Sequence, residues 1–542
     1  MTMSNQQPVQ NLLPVKLRNG TYRAALAVLF VSAIVSFWFC ARFTVDDAFI
    51  SWRYGRNLVQ FGIWAYNPST FDLTQAYTNP IYAFLSVIPS YFQIDTVLFF
   101  KIVSCALGLS FSIWFAKVTK QSLLMLGALM CLPATMLHLF SGLETFLFVF
   151  LFSALLVELD RNNKKTVLLI TLMLFMTRPE AWLLLVLVPT YLACHVKIIV
   201  DQIGAPSRSR LRIGRYYLEV DLKTLATSAL VLGVPLAIYF GFHQHYFGSW
   251  LPNTFYIKSR ATFSASDFFK FLFFMTPLTL LLLVGRKKIM CFCLTMFFAM
   301  TWSYSHSYLF MDYAARFAFH IFIPIYIYLV YLAALSKNER MNCLIKLNWL
   351  ATIRLSTFIN CVLLGYLAAF AIKSGIKAIS LFNAYPRALE AHAALGKVIK
   401  SVSATMNVNS LVTGDAGMTA YYSDIKILDT VGLASAFVAK SGLTEKVLDA
   451  YDPTIVAFYS TPAAIDMDLF GQRAIYDWAV KKGLHYQCDV YWTASYTLKL
   501  FTQTDIPMLN NVCINSQAAN NKSEEVFFRS NLLIPPWSFW RE

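Results

Sequence analysis

Up to about residue 373 the chain consists of long apolar runs joined by short, mostly basic links. Beyond that point the apolar positions come in runs of four or five set among amphipathic stretches. Crossing the hydrocarbon layer takes about 20 apolar residues, fewer where a helix is short or tucked among neighbours, and on that measure the pattern predicts about 11 crossings. They fall at 24–41, 96–116, 121–140, 143–159, 165–177, 180–199, 224–242, 267–285, 288–304, 317–335 and 355–373. One apolar piece, 80–92, is left over, with Pro80 and Pro89 as punctuation.

The placement of that piece decides the orientation of everything after it. If 80–92 crossed the membrane, Lys117, Lys120, Lys164, Lys165, the Arg208/Arg210/Arg212/Arg215 group and Arg286-Lys287-Lys288 would all face outward. That arrangement contradicts the excess of Lys and Arg in cytoplasmic loops. With 80–92 lying in the interface instead, every one of those loops falls inside. The outer side then carries Asp46 to Asn79, Ser141 to Glu144, Arg178-Pro179-Glu180, His243 to Arg260, Asp312 to Arg316 and everything after about Ser374.

Composition agrees with a bilayer rather than water as the solvent: 57% of the 542 residues are hydrophobic and 14% charged. The formal charge of +16 sits in short groups between apolar runs, so it reads as loop charge and not as a nucleic-acid surface. Lys16, Arg18 and Arg23 precede the first run, which lacks a small-x-small cleavage pattern. It is expected to be a retained signal anchor that keeps the amino terminus in the cytoplasm. The ten cysteines show no metal-ligand spacing. Cys488 and Cys513 fall in the polar tail, where a disulfide and two free thiols are equally compatible with the sequence.

The expected architecture is a polytopic α-helical membrane domain over 1–373, with a first outer loop at 42–95, and a C-terminal α/β domain over 374–542. Strands are expected at Ser410 to Thr413, Ile425 to Leu428 and Thr454 to Phe458, with a Gly414-Asp415-Ala416-Gly417 turn after the first. No span follows that could return this domain to the cytoplasm, so it is expected outside as a cap.

Candidate chemistry collects in the outer loops. Asp46 and Asp47 open a helical stretch whose entry Thr44-x-x-Asp47 could equally be a capping arrangement. Phe49, Trp52 and Val59 offer an apolar side for the interface, and Arg53, Arg56 and Asn57 follow. A carboxylate pair beside cations at a membrane edge suits transfer of a sugar from a lipid phosphate to a hydroxyl. A base takes the hydroxyl proton, while the phosphate leaves as an anion that cationic donors stabilise. Arg53, Arg178, Lys258 and Arg316 are the candidate cations.

Structural readings stand beside several of these. Glu144 complements a helix amino terminus, Arg178 and Glu180 form a loop ion pair, and Asp312 and Arg316 form an i,i+4 pair. His243 and His245 are polar loop residues without a third metal ligand. A transporter or flippase of lipid-linked sugars is the rival class, but it would place its charges near the midplane.

The ordered pieces Asp46 to Ser51 with Arg53-Tyr54 and Arg56-Asn57, Tyr66-Asn67-Pro68, Tyr77-Thr78-Asn79-Pro80, Ser141 to Thr145, Thr177 to Glu180, Leu251 to Lys258, Arg316-Phe317, and Gly414 to Gly417 with Asp429 resemble membrane glycosyltransferases of the GT-C class. Bacterial arabinofuranosyltransferases, of mycobacterial cell envelopes and of pilins, are the nearest in pattern. The resemblance implies a polyprenyl-phosphate sugar donor, inversion at the anomeric carbon and a periplasmic acceptor, either a glycan or a pilin. It also implies a multi-pass protein of the bacterial inner membrane with its active site on the periplasmic side. A first-loop Asp is the implied base. Tyr77, Asn79, Glu144, Glu180 and Asn253 join the four cations on the donor side, and Asp415 and Asp429 lie on the acceptor side. No cofactor is required, and a divalent cation is compatible. Gln75-Ala76 stands where such enzymes usually have Glu-Gly, which leaves sugar and acceptor open. Adjacent helical residues point about 100° apart, so one of the two Asp reaches the acceptor; the resemblance favours Asp46.

Overall fold

The computed structural model describes residues 41–119, 122–198, 210–213, 216–309, 311–335, 344–348, 351–493 and 496–528, with a few positions between 27 and 38. The expected signal anchor at 24–41 therefore lies largely outside the described residues. Among the described residues five helical stretches are long and apolar enough to cross a membrane: Thr96–Val118, Leu222–Phe247, Ala265–Val284, Tyr313–Ala334 and Leu355–Ile372. The 121–140 run is two helices, Leu123–Met130 and Pro133–Phe140, bent by 70°. Pro133 opens the second of them and cannot donate to the turn before it.

The remaining expected spans are shorter or interrupted. Thr145–Asp160 has 16 residues and Lys164–Phe175 has 12. Lys287–Ser305 is the exception, a continuous helix of 19 residues that begins inside the Arg286-Lys287-Lys288 run. The 180–199 run starts as a 3-10 turn at Pro179–Leu183 and continues as Leu184–Ala193. It then passes into the strand Cys194–Ile198, which pairs with Tyr216–Val220. The 80–92 piece breaks into Pro80–Leu85 and Val87–Tyr91, each too short to cross a bilayer.

The Tyr313–Ala334 stretch is 89% buried and forms the axis of the helical body, whereas Leu222–Phe247 is 11% buried and presents Leu230, Val234, Ile238 and Phe242 outward. An apolar flank that long is stable against lipid and not against water, so the helical body is membrane-embedded.

The Asp46–Phe61 helix is where the sequence reading needs correction. It begins after Val45 with no side-chain cap, and Thr44 Oγ1 is buried without a partner among the described residues, so the capping arrangement does not form. Phe49 and Trp52 do not face the interface either. Trp52 stacks on Phe100 at 4.5 Å inside the core, and only Val59 of the three is exposed. The helix is a seam, with the membrane helices on one side and the C-terminal domain on the other. Gly142, at φ 80°, lets the chain pass Trp52: an added Cβ would lie 2.8 Å from the indole.

The helix Leu355–Ser403 runs unbroken from the membrane body into the C-terminal domain, past the expected boundary at 373. The domain's five-stranded sheet has the order Lys426–Asp429, Ser410–Thr413, Ile455–Ser460, Tyr496–Thr502, His485–Thr493. The first three strands are parallel and the last two join antiparallel. All three expected strands are present, within a residue or two of their anticipated ends.

Cys488 and Cys513, 25 positions apart in sequence, are joined as a disulfide, with Cα atoms 6.2 Å apart. A loop of that length is worth about 3 kcal/mol through the unfolded chain. Cys488→Ser is expected to lower the thermal midpoint of this domain accordingly. In denaturant without reductant, peptide masses should show both residues unmodified by maleimide; labelling of both in the wild-type chain would refute the bond.

Candidate active site

The Asp46–Phe61 helix lies along the C-terminal domain, with Asp46 against the Gly414–Gly417 loop that follows the Ser410–Thr413 strand and Arg53 and Arg56 against the entry to the Lys426–Asp429 strand. Several long-range bonds hold the two together. Arg53 Nη2 donates to the Ile425 carbonyl at 2.6 Å while its guanidinium lies 4.7 Å from the Tyr66 ring centroid. Arg56 pairs with Asp424 at 2.8 Å. Asn67 exchanges two hydrogen bonds with Ile427, as an added strand residue would. Asp72 accepts from Ala436 N at 2.8 Å, from the Ser435 hydroxyl and from Tyr451 OH at 2.5 Å.

At the other side of the seam one buried carboxylate gathers three donors. Glu144 accepts from Asn79 Nδ2 at 2.7 Å, Arg178 Nη1 at 2.6 Å and Arg316 Nη2 at 3.0 Å. Ser51 Oγ orients Asn79 at 2.6 Å, and Arg316 Nε donates to Thr145 Oγ1 at 2.9 Å. Arg178 also forks onto Glu180, at 2.7 and 3.1 Å. The loop ion pair is thus present, and it extends to Glu144. The i,i+4 pair is not: Asp312 bonds Lys270 at 2.6 Å and accepts from Phe317 N at 3.1 Å, which leaves Arg316 to Glu144. Geometry explains the change, because Ala314 and Ala315 adopt positive φ just before Arg316 and set Asp312 outside the helix.

Beside this network lies Asp47. Its carboxylate has no hydrogen-bond partner among the described residues, and the charges acting on it are Lys258, Arg316 and Glu144. Burial raises its pKa above the usual value against the pull of the two cations. Burial likewise lowers Lys258 to about 8, with Asp47 opposing. The arrangement can take a proton at Asp47 and hold an anion on Lys258 and Arg316.

Asp46 faces elsewhere. Its carboxylate accepts from Gly417 N at 3.0 Å and Met418 N at 2.7 Å, and its own amide donates to Tyr385 OH at 2.9 Å. Asp415 lies close by, accepting from Tyr496 OH at 2.7 Å and Tyr459 OH at 3.1 Å, with His392 Nε2 3.8 Å away.

The sequence-predicted residues therefore divide. Asn79, Glu144, Arg178, Glu180 and Arg316 form one bonded network, Asp47 and Lys258 lie within range of its charges, and these seven residues mark the recess. Arg53 and Asn253 are spent on docking the domain, Asn253 Nδ2 donating to the carbonyls of Gly432 at 2.5 Å and Ser435 at 3.1 Å. Tyr77 is buried, its hydroxyl accepting from Trp64 Nε1 at 2.9 Å. Asp429 caps its own loop by accepting from Val431 N and Ala434 N. His243 and His245 lie on the last turns of the Leu222–Phe247 helix and not in a loop. No group of three or more His, Cys, Asp or Glu suited to a metal occurs among the described residues. Sequence reasoning missed Asp72, Tyr385, His392 and Asp424. The available signal was an ionisable or phenolic side chain in a stretch otherwise read as loop, helix or turn.

A family model described as Domain of unknown function (DUF8728) matches residues 386–522, which takes in the end of the Leu355–Ser403 helix, the sheet, His392 and the Gly414–Gly417 loop, and lies beyond the membrane-length stretches among the described residues. No curated protein matches the chain.

Burial raises Asp46 to about 7, with His392 pulling down and Asp415 pushing up, and raises Asp415 to about 6 against bonds from Tyr496 and Tyr459. It raises Asp429 to about 7 against the backbone amides of its loop. A carboxyl raised in the folded state stabilises that state at low pH, and the contribution is lost as pH climbs through the folded value. His392, lowered by burial, acts in the opposite sense but is spent above about pH 6.5. Three carboxyls outweigh one imidazole, so the docked C-terminal domain is expected to loosen as pH rises from about 4, where such carboxyls ionise in the unfolded chain, to about 7. The temperature at which protease first cuts it should fall over that window; a rise would refute the burial of these groups.

Proposed function

We propose that the protein is a membrane-embedded glycosyltransferase that moves a sugar from a polyprenyl-phosphate donor to an acceptor hydroxyl. The observation that carries this reading is the Asp47 carboxylate, without a hydrogen-bond partner among the described residues, in one recess with Lys258 and Arg316. In the reaction Asp47 takes the proton of the acceptor hydroxyl, whose oxygen bonds to the anomeric carbon. The bond from that carbon to the phosphate oxygen breaks on the opposite face, and polyprenyl phosphate leaves with the electron pair. Lys258 and Arg316 stabilise the charge that develops on the phosphate. The anomeric configuration inverts, because one displacement occurs.

We assign the chain to the GT-C architecture, with about 11 crossings once the short and bent segments of the 1–373 region are counted. The recess and the C-terminal domain lie on the periplasmic face of a bacterial inner membrane. Two observations support that orientation. Glu144 opens the Thr145–Asp160 helix at the recess, while Asp160 at its other end pairs with Arg286 at 3.0 Å, close to where Lys164 bonds Thr224. The basic links thus gather at the end of the helices opposite the recess, as cytoplasmic loops do. The Cys488–Cys513 disulfide suits an oxidising compartment. Arabinofuranose is the proposed sugar, and a cell-envelope glycan or a pilin the acceptor.

The test is transfer of labelled sugar from polyprenyl-phosphoryl arabinofuranose by the purified full chain in lipid. Asp47→Asn is expected to lower kcat by about 10²- to 10⁴-fold, the usual contribution of a general base, with donor binding retained. Arg316→Ala and Lys258→Ala are expected to weaken donor binding more than acceptor binding. Full activity of Asp47→Asn, or unchanged donor affinity in both cation variants, would refute the assignment.

A further inference from the structure

Asp46 and Asp47 are chemically identical neighbours, yet they are treated in opposite ways. Asp47 has no hydrogen-bond partner for its carboxylate among the described residues, whereas Asp46 is held by two backbone amides of the C-terminal domain, those of Gly417 and Met418. The seat is shaped around the absence of a side chain. A Cβ added to Gly417 would lie 2.2 Å from Asp46 Oδ2, 2.2 Å from its carbonyl oxygen and 2.3 Å from Cγ. Any residue larger than glycine displaces the Asp46 backbone together with its carboxylate. The third tie, from the Asp46 amide to Tyr385 OH, comes from the long helix that enters the domain.

We propose that Asp46 is a positioning residue: the Gly414–Gly417 loop grips its carboxylate, and because successive helical side chains are locked about 100° apart, that grip turns Asp47 into the recess with Lys258 and Arg316. The proposal rests on the reading of Asp47 as the base, and it gives the C-terminal domain a part in the reaction itself. Asp46 sits at the first position of its helix, where no side-chain cap fixes the entry. The loop therefore supplies from another domain the restraint that a local cap would otherwise provide. A base held within hydrogen-bond reach of its proton loses about 10²-fold when displaced by about 1 Å, so the grip bears on kcat and not on donor affinity.

The experiment uses the full chain in lipid and compares Gly417→Ala, Asp46→Asn, their double variant and Asp47→Asn. The readouts are kcat and KM for polyprenyl-phosphoryl arabinofuranose between about pH 5.5 and 8.5, and polyprenyl phosphate binding followed by tryptophan fluorescence. Gly417→Ala and Asp46→Asn are each expected to lower kcat by about 10- to 100-fold with KM and phosphate binding little changed. The double variant should be no worse than the poorer single one, because both remove the same contact. In each the acid limb of the pH profile persists, since Asp47 still titrates, while in Asp47→Asn it disappears. Asp46→Asn is isosteric and keeps one acceptor oxygen, so it serves where Gly417→Ala does not fold. Wild-type kcat in Gly417→Ala, or in Asp46→Asn, overturns the grip while leaving an inactive Asp47→Asn as evidence for the base. Loss of the acid limb in Asp46→Asn with an active Asp47→Asn overturns both and makes Asp46 the base.

Discussion

The ion network centred on Glu144 is the constraint from which the recess follows. A carboxylate that is 1% exposed must be paired, because an uncompensated buried charge costs several kcal/mol. Here it is shared by Arg178 and Arg316, with Asn79 on its second oxygen. Glu180 neutralises Arg178 and Glu144 neutralises Arg316, so the one cation left over is Lys258, which the Asp47 carboxylate balances. Lys258 and Arg316 both act on Asp47. In the proposed reaction, one negative charge passes from Asp47 to the departing phosphate, and the net charge of the recess stays constant. The cations need not move as the charge relocates, which is the condition for preorganised electrostatic stabilisation.

Glu144 also ties three separate stretches of chain to one point: the first loop through Asn79, the 177–180 link through Arg178, and the central Arg316–Ala334 helix. The first-loop helix is then closed from its other face by the C-terminal domain. Arg53 illustrates the cost of that closure. A guanidinium without access to water is kept only because the Ile425 carbonyl and the Tyr66 ring receive it, and its Nη1 has no partner among the described residues. Groups of this kind fix the register of one body on another more strictly than apolar contact does, since a shift of one residue would strand them.

What was legible in the sequence follows from the range of the interactions involved. The strands at 410, 426 and 455 declare themselves by local apolar runs, and Arg178 finds Glu180 two residues away. Thr44, by contrast, looked like a cap because local spacing says nothing of Val45 N donating to the Ser141 carbonyl and drawing the entry elsewhere. Asp312 and Arg316 had the right spacing for each other, and partners 42 and 172 residues away won. Arg53 and Asn253 carried the right chemistry for a phosphate or sugar, but their partners lie 372 and about 180 residues on, in a domain whose docking the sequence does not announce. Asp72 and His392 escaped notice for the same reason.

The paired Asp motif itself shows how far residue type can mislead without geometry. Two adjacent carboxylates suggest redundancy, or a shared proton, but a helix separates them by a quarter turn or more, and the protein places different surroundings on each side. On the domain side, amide donors hold Asp46 and tyrosine hydroxyls hold Asp415, each carboxylate accepting one hydrogen bond on each oxygen, which fixes its orientation. On the membrane side Asp47 meets cations that attract an anion as readily as they attract a carboxylate. Asp46 carries one amide hydrogen bond on each oxygen, whereas the Asp47 carboxylate carries none from the described residues. The same reasoning explains why glycine stands at 417: the amide that fills the lone pair of Asp46 has to approach closer than any side chain would permit.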